Sequence, residues 1–383
     1  MASSPRIVHI GGVHEEDHPN HPPRGSEDYY FLTWGSLIAR RIAERYPSLE
    51  VETWGTDREW REPTAIRKHG VTAMLFPTRR PRPNPFLTQA MVDRLRQYAA
   101  ESGLIVHLHC LHNPVVAYLS WALPQAKIIA QHHGDFPPRC TSARGLARSV
   151  IERLSFHRLS AATYLTARER DYLRRLIPEK KLHFLVAGAD YEFFQPLSKE
   201  ECRRALGLDL SRKYGLYVGK FYRLKAVDRM IEACRALAGR HDFQMVFVGG
   251  EDNAENDLFD AVVSSGCPNF RTQPWSRMPL FFGACDFLAH LGFRYNGFDT
   301  VCLESLAANR PVLTSYFNWL PYDWRDWGLP VRSEDDFTAA CERMIGRFGS
   351  FEHCRETSAR FASKQAIVDR IVGEIYGLPV QGA

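Results

Sequence analysis

The sequence predicts an α/β protein made of two doubly wound, Rossmann-like domains facing across a cleft. Three observations lead there. Short apolar runs alternate with helix-periodic segments along nearly the whole chain, the pattern of parallel sheets with crossover helices. A length of 383 residues suits two domains with a core each. A linker-like stretch over 197–213 separates two such alternating series.

In the first domain, 1–196, Arg6–Ile10 reads as a strand ended by Gly11-Gly12. A polar loop then leads into a helix over 28–45, and strands follow at 49–54 and 71–76. Pro81, Pro83 and Pro85 punctuate the chain before a helix over 86–100. A strand over 104–109, a helix over 113–123 and a strand over 127–131 lead to His132-His133-Gly134. A long amphipathic helix covers 143–159. Strands at 162–165 and 183–186, with a short helix between them, complete the domain.

The second domain is expected over 197–355. Its strands fall at 214–218, 243–248, Phe270, 287–291, 312–314 and Val331. Helices over 226–237, 255–265, 278–285 and 333–348, and one starting at Thr300, lie between and after them. A last helix over 351–376 follows, and the segment 356–383 is expected to pack back on the first domain.

Composition narrows the class. Apolar residues at 45% and charged residues at 24% are globular values and exclude a disordered chain. No run approaches about 18 apolar residues, so no transmembrane helix is expected. The N-terminus lacks a basic region followed by an apolar core, so no signal peptide is expected. Nine cysteines, scattered and without a Cys-x-x-Cys pair, point to reduced thiols in a cytoplasm. The formal charge of +5 is carried by the first half, where Arg79, Arg80 and Arg82 stand close together. That excess fits an anionic membrane surface or acceptor, and so a protein that is cytoplasmic or peripheral at the inner membrane face. A merely solvated basic face accounts for it equally well. Nothing suggests nucleic acid.

The stretch from Asp286 to Thr314 carries the most chemistry. A buried strand at 287–291 runs into a loop with Gly292 and Gly297, then into a helix begun by Thr300 as N-cap. Asn309 and Pro311 stop that helix. A glycine loop feeding a helix N-terminus offers backbone N–H groups and a positive dipole end to phosphate. Glu304 lies about one turn inside the helix and can accept two hydroxyls at once, as a ribose diol requires.

This stretch resembles the nucleotide-sugar site of family-4 glycosyltransferases, retaining enzymes of the GT-B fold. Asn296-Gly297-Phe298-Asp299 stands where the family has Glu-Gly-Phe-Gly. Leu303-Glu304-Ser305-Leu306-Ala307 and Arg310-Pro311-Val312 stand for the second half of the signature, with the spacing intact. Tyr217-Val218-Gly219-Lys220 is similar to Tyr-Val-Gly-Arg, and Lys225-Ala226 falls at the family's Lys-Gly. Val186-Ala187-Gly188-Ala189-Asp190 resembles Pro-Asn-Gly-Val-Asp. His133-Gly134 resembles a His-Gly ending a first-domain strand, and Gly25-Ser26-Glu27 stands at Gly-Gly-x-Glu. Two residues depart: Asn296 replaces a glutamate and Asp299 a glycine.

The resemblance implies a metal-independent transfer of a hexosyl group from a nucleoside-diphosphate sugar, UDP- or GDP-linked, to an acceptor hydroxyl. The acceptor is left open between a small molecule, a glycan and a lipid-linked sugar. No bound cofactor is implied. Lys220 and Lys225 would meet the diphosphate, Glu304 the ribose, and Gly25, Gly297, Phe298, Asp299 and Thr300 the donor. His133 and Asn296 would hold the transferred sugar. Asp299 is expected either to turn away from the diphosphate or to cap the helix at Thr300.

Two histidine groups, His107, His109 and His112, and His14, His18 and His21, invite a metal reading. No carboxylate or cysteine follows them at ligand spacing, so no metal is expected. Trp319, Tyr322, Trp324 and Trp327 could stack on a sugar or pack locally. Two further readings remain: a GT-B phosphorylase or epimerase, and a non-catalytic nucleotide or sugar binder, which the changes at Asn296 and Asp299 motivate.

Overall fold

A computed structural model describes residues 5–11, 27–57, 60–78, 87–101, 103–133, 142–250, 256–292, 299–318 and 320–380. The chain divides into two units, Met1–Leu185 with Val368–Ala383, and Val186–Ile367. The sequence reading sets the divisions at 196 and 355.

The first unit holds β1 (Arg6–Ile10), β2 (Glu50–Asp57), β3 (Thr64–Lys68), β4 (Val71–Pro77), β5 (Leu104–Leu108), β6 (Lys127–Ala130), β7 (Ala161–Tyr164) and β8 (Leu182–Phe184). They form one sheet in the order β3-β4-β2-β1-β5-β6-β7-β8. All pairs are parallel except β3 with β4. The wholly parallel reading missed this edge hairpin. Its strand alternates half-buried and exposed residues, and so lacks the apolar run that marks the buried strands. By contrast, the central strand β5 is buried at every position.

The second unit holds β9 (Lys213–Val218), β10 (Phe243–Val248), β11 (Asn269–Phe270), β12 (Phe287–His290), β13 (Val312–Thr314) and β14 (Gly328–Pro330). The order is β11-β10-β9-β12-β13-β14, parallel throughout. Renumbered within the unit this is 3-2-1-4-5-6, the dinucleotide-fold order, whose ligand crevice lies beyond the carboxyl ends of strands 1 and 4. Here those strands are β9 and β12. In the first unit the same reversal falls between β1 and β5.

Side-chain caps fix several helix starts. Thr33, Asn113, Ser142, Thr166 and Ser198 each accept a backbone N–H from the first turn. Ser198 corrects the linker expectation: 197–213 contains a helix, Lys199–Leu206, closed by Gly207 in the left-handed region. The Ser-x-x-Glu signal at 198–201 marks it in the sequence. Its Arg203 reaches Asp286 Oδ2 at 3.0 Å and Lys199 reaches Oδ1 at 2.5 Å, all beneath β12. The expected helix over 351–376 is interrupted at Ser363. There the backbone pairs with Ala189, and the chain continues as Lys364–Arg370 and a π-helical turn. The last strand is Gly328–Pro330, just before Val331. Among the described residues no helix is long and apolar enough to cross a membrane.

Candidate functional site

In the second unit the site is built from the ends of β9 and β12. After β9 the chain turns at Gly219 and Lys220, where the Tyr217 hydroxyl donates to the Lys220 carbonyl at 2.6 Å. A short 3-10 turn, Arg223–Lys225, then ends at Ala226 with φ 54°. This is the position where the family resemblance places a glycine, and a left-handed alanine costs about 1–2 kcal/mol. Ala226 starts the helix Val227–Leu237 and gives it no side-chain cap. Its first N–H groups are left for another partner.

Lys225 points back over the sheet. Its Nζ lies 2.6 Å from Asp299 Oδ2 and 3.4 Å from His290 Nε2, the last residue of β12. The same Asp299 oxygen takes His290 Nε2 at 2.6 Å and the Tyr316 hydroxyl at 3.4 Å. Tyr316 can reach it because a Cβ at Gly292 would overlap its hydroxyl. Burial pushes the Asp299 carboxyl up, but the His290 ring and the Lys225 ammonium outweigh it and hold the group below its ordinary range. Burial pushes the His290 imidazole down, so it is neutral and donates Nε2–H to the carboxylate. Its Nδ1 then carries a lone pair that meets no partner among the described residues.

Asp299, not Thr300, occupies the N-cap of the helix Thr300–Ala307, and its side chain makes no capping bond. The carboxylate turns toward Lys225 instead. Glu304 lies on this helix. Burial raises its carboxyl to about 7, partly offset by the Trp275 indole N–H at 3.5 Å. Trp275 is itself stacked on Phe193, with ring centroids 3.9 Å apart and 7° between planes. Lys220 is exposed, with no ion pair among the described residues. Asn296, Gly297, Phe298 and Gly25 lie outside the described residues, as do Gly134, Trp319, the arginines at 79, 80 and 82, and His14, His18 and His21. Tyr322 packs on Phe361 and Trp324 on Phe317, so these aromatics serve local packing.

The first unit gathers histidines at its own switch point. His9 of β1 and His107 of β5 are direct cross-strand partners. His133 Nε2 lies 2.9 Å from His109 Nδ1, and His109 Nε2 lies 2.8 Å from His9 Nδ1. His9 Nε2 is 3.3 Å from the Tyr376 hydroxyl, which is 2.7 Å from His107 Nδ1. One hydrogen per contact, all imidazoles neutral, satisfies this chain in either direction. Burial pushes His9 down to about 3 and His107 and His109 down as well. The ligand atoms of His9, His107 and His109 lie within 4.8 Å of one another, close enough to share an ion. Yet the His109 ring is within 16° and 18° of parallel to those of His107 and His9. Five of the six ring nitrogens are turned to one another, to His133 or to Tyr376, His107 Nε2 alone among the three rings meeting no partner among the described residues. Lone pairs of parallel rings do not converge, so the geometry fits a hydrogen-bond chain better than a metal. Gly35 admits the ring, since a Cβ there would stand 2.7 Å from His109 Cδ2.

A second buried network lies alongside. His112 meets Glu152 at 3.2 Å, Tyr172 donates to Glu152 at 2.8 Å, and His132 pairs with Glu169. Sequence reasoning missed His290, Tyr316, Trp275 and His9 as site residues. His290 and His9 carried one signal: each sits within the last two positions of a strand at the sheet's centre.

Two Rossmann-like units, each with polar side chains gathered at its switch point, are those of a GT-B protein. Solved structures of that fold align along the whole chain. Sucrose-phosphate synthase of Thermosynechococcus elongatus superposes with a TM-score of 0.66 at 18% identity, covering 97% of this chain and 98% of that one. Anabaena HepE, solved in complex with UDP, gives 0.67 at 14% identity over 98% and 100%. Residues 212–347 match the family Glycosyl transferases group 1. D-inositol 3-phosphate glycosyltransferase of Mycobacterium marinum is 27% identical over 242 residues, 58% of this chain and 50% of that protein. Its namesake in Nocardia farcinica is 24% identical over 294 residues, 68% and 63%. The chain spans about half the length of the first of these relatives.

Proposed function

We propose that this chain is a retaining, metal-independent glycosyltransferase that moves a hexosyl group from a nucleoside-diphosphate sugar to an acceptor hydroxyl. One observation carries the reading. Lys225 and two helix N-termini without side-chain caps stand beyond β9 and β12, in the segment that matches the Glycosyl transferases group 1 family. Lysine and free N–H groups supply what a diphosphate leaving group needs. Glu304 is the acceptor for the ribose diol. Uridine is the first base to test, because HepE was solved with UDP.

In the proposed reaction the bond from the anomeric carbon to the phosphate oxygen breaks while the acceptor oxygen bonds to the same face. The acceptor's proton passes to the departing phosphate oxygen. The protein contributes charge stabilisation and positioning, with no nucleophile of its own. In the first unit His133, oriented by His109, is the proposed contact for a substrate hydroxyl. A lipid-linked acceptor agrees with the basic first half.

A second reading has its own support. The Lys225–Asp299 pair leaves the expected phosphate cation already neutralised, which suits a chain that binds nucleotide without turnover. Turnover of a panel of UDP- and GDP-sugars, with and without chelator, tests both. Release of nucleoside diphosphate that survives chelation supports the transferase. Nucleotide binding without release of product from any donor supports the binder. Release abolished by chelator and restored by a divalent ion contradicts metal independence.

A further inference from the structure

The helix Ala143–Ser155 is inside out. Its rows Leu146-Val150-Leu154 and Ala143-Ala147-Ile151, each at i,i+4 spacing, form one continuous apolar face. That face is exposed: Leu146 by 56%, Val150 by 49%, Ile151 by 45% and Leu154 by 59%. The buried side is polar. Glu152 accepts from Tyr172 at 2.8 Å and meets His112 at 3.2 Å, and Ser155 accepts the Trp121 indole N–H at 3.1 Å. These bonds fix the orientation, because rotating the helix would take Glu152 from His112 and Tyr172 and leave those polar groups buried without it. Tyr118 and Trp121, on the neighbouring helix Pro114–Ala122, are exposed by 46% and 51%. Together these are six of the twelve large exposed apolar side chains among the described residues, so half of that exposure falls on this pair of packed helices.

The rim of this face is cationic. Arg144 borders it on one side and Arg153 on the other, the Arg158 guanidinium lies 3.5 Å over the Trp121 ring, and Arg148 turns inward to pair with Glu152 at 3.5 Å. The only carboxylate between Ser142 and Arg158 is Glu152, which is buried. We propose that the helix Ala143–Ser155, with Tyr118 and Trp121, is the surface by which the first unit docks on an anionic lipid bilayer. An amphipathic helix with aliphatic residues on one face and arginines at its edges lies in the interfacial plane, its apolar side in the acyl boundary and its guanidinium groups among phosphates. Tyrosine and tryptophan suit the same depth. Charge decides between occupants: a second copy would bring arginine edge against arginine edge, whereas acidic headgroups complement every charge on the rim. The inference does not depend on the sugar-transfer reading.

The test is co-sedimentation of the full chain with phosphatidylcholine vesicles and with vesicles of equal parts phosphatidylcholine and phosphatidylglycerol. Binding to the acidic vesicles, weakening as salt rises, is expected, with little binding to the neutral ones. The doubly substituted Leu146→Glu, Leu154→Glu chain, whose changes lie wholly on the exposed face, should melt as the parent does and lose at least tenfold in vesicle affinity. Arg144→Gln with Arg153→Gln, which keeps the apolar face, should lose affinity for acidic vesicles and flatten the salt dependence. Absent binding to acidic vesicles at low salt, or equal binding by both variants, would overturn the proposal. So would a concentration-dependent dimer in sedimentation velocity that the glutamate substitutions abolish, since the face would then belong to a second copy.

Discussion

Lys225 Nζ and Asp299 Oδ2 are 2.6 Å apart, so the lysine aligned with a diphosphate-binding position arrives with its own counter-ion. A diphosphate must displace that carboxylate or share the lysine with it. Asp299→Asn is therefore expected to tighten UDP binding about tenfold at low ionic strength, a gain of about 1.4 kcal/mol. Lys225→Ala should weaken it. Titration calorimetry on the two variants checks the pair, and equal affinities would mean that Lys225 does not meet the ligand.

Glu304 makes donor binding depend on pH. Its folded carboxyl is raised to about 7 by burial, above its unfolded value. The stability it contributes is full below the ordinary carboxyl range and is lost as pH rises through about 7. Accepting two ribose hydroxyls needs the ionised form. UDP-glucose, whose own charge is constant here, should bind more tightly from pH 6 to pH 8, and the rise should vanish in Glu304→Gln. A flat profile in the parent chain would show that Glu304 is not the ribose acceptor.

The histidine chain should make the fold sensitive to acid. His9, His107 and His109 are all pushed down by burial, His9 to about 3. An unfolded histidine takes up a proton below about pH 6.5, so stability is full above that pH and falls as pH drops toward the folded values. The loss is about 1.4 kcal/mol per pH unit for each buried ring. Urea unfolding of His107→Gln, which keeps a hydrogen-bonding group, should show a slope smaller by about one proton between pH 6 and pH 5.

Arg203 supports the site from below. It is buried, paired with Asp286, and donates to the carbonyls of Ala284 and Leu210. Removing one partner of a buried pair typically costs about 3–5 kcal/mol. Arg203→Ala should therefore lower the melting temperature sharply, while Arg204→Ala, whose partner Glu200 is exposed, should change it little.

Much of this was readable in the chain. Strands such as Arg6–Ile10, Phe243–Val248 and Val312–Thr314 announce themselves as apolar runs and fall where the structure has them. The likeness at Lys225 and Glu304 pointed to the ends of β9 and β12. What stayed hidden depends on tertiary neighbours. His9 and His109 are 100 residues apart and meet only because β1 pairs with β5. The periodicity of Ala143–Ser155 shows an amphipathic helix but not which face turns outward, because Glu152 finds its partners on other elements. The sequence leaves Asp299 either turning from the phosphates or capping the helix at Thr300, and its partner His290 emerges only with the sheet order.

The proposed hold of the second unit on a nucleoside diphosphate, through Glu304 and Lys225, is tested most directly by calorimetric titration of UDP into the parent chain and into Glu304→Ala. The expected result is saturable binding to the parent that weakens on the order of 10- to 100-fold in the variant, as for a charged hydrogen-bonding group. Binding of equal strength in both, or none to the parent by UDP or GDP, would contradict the account.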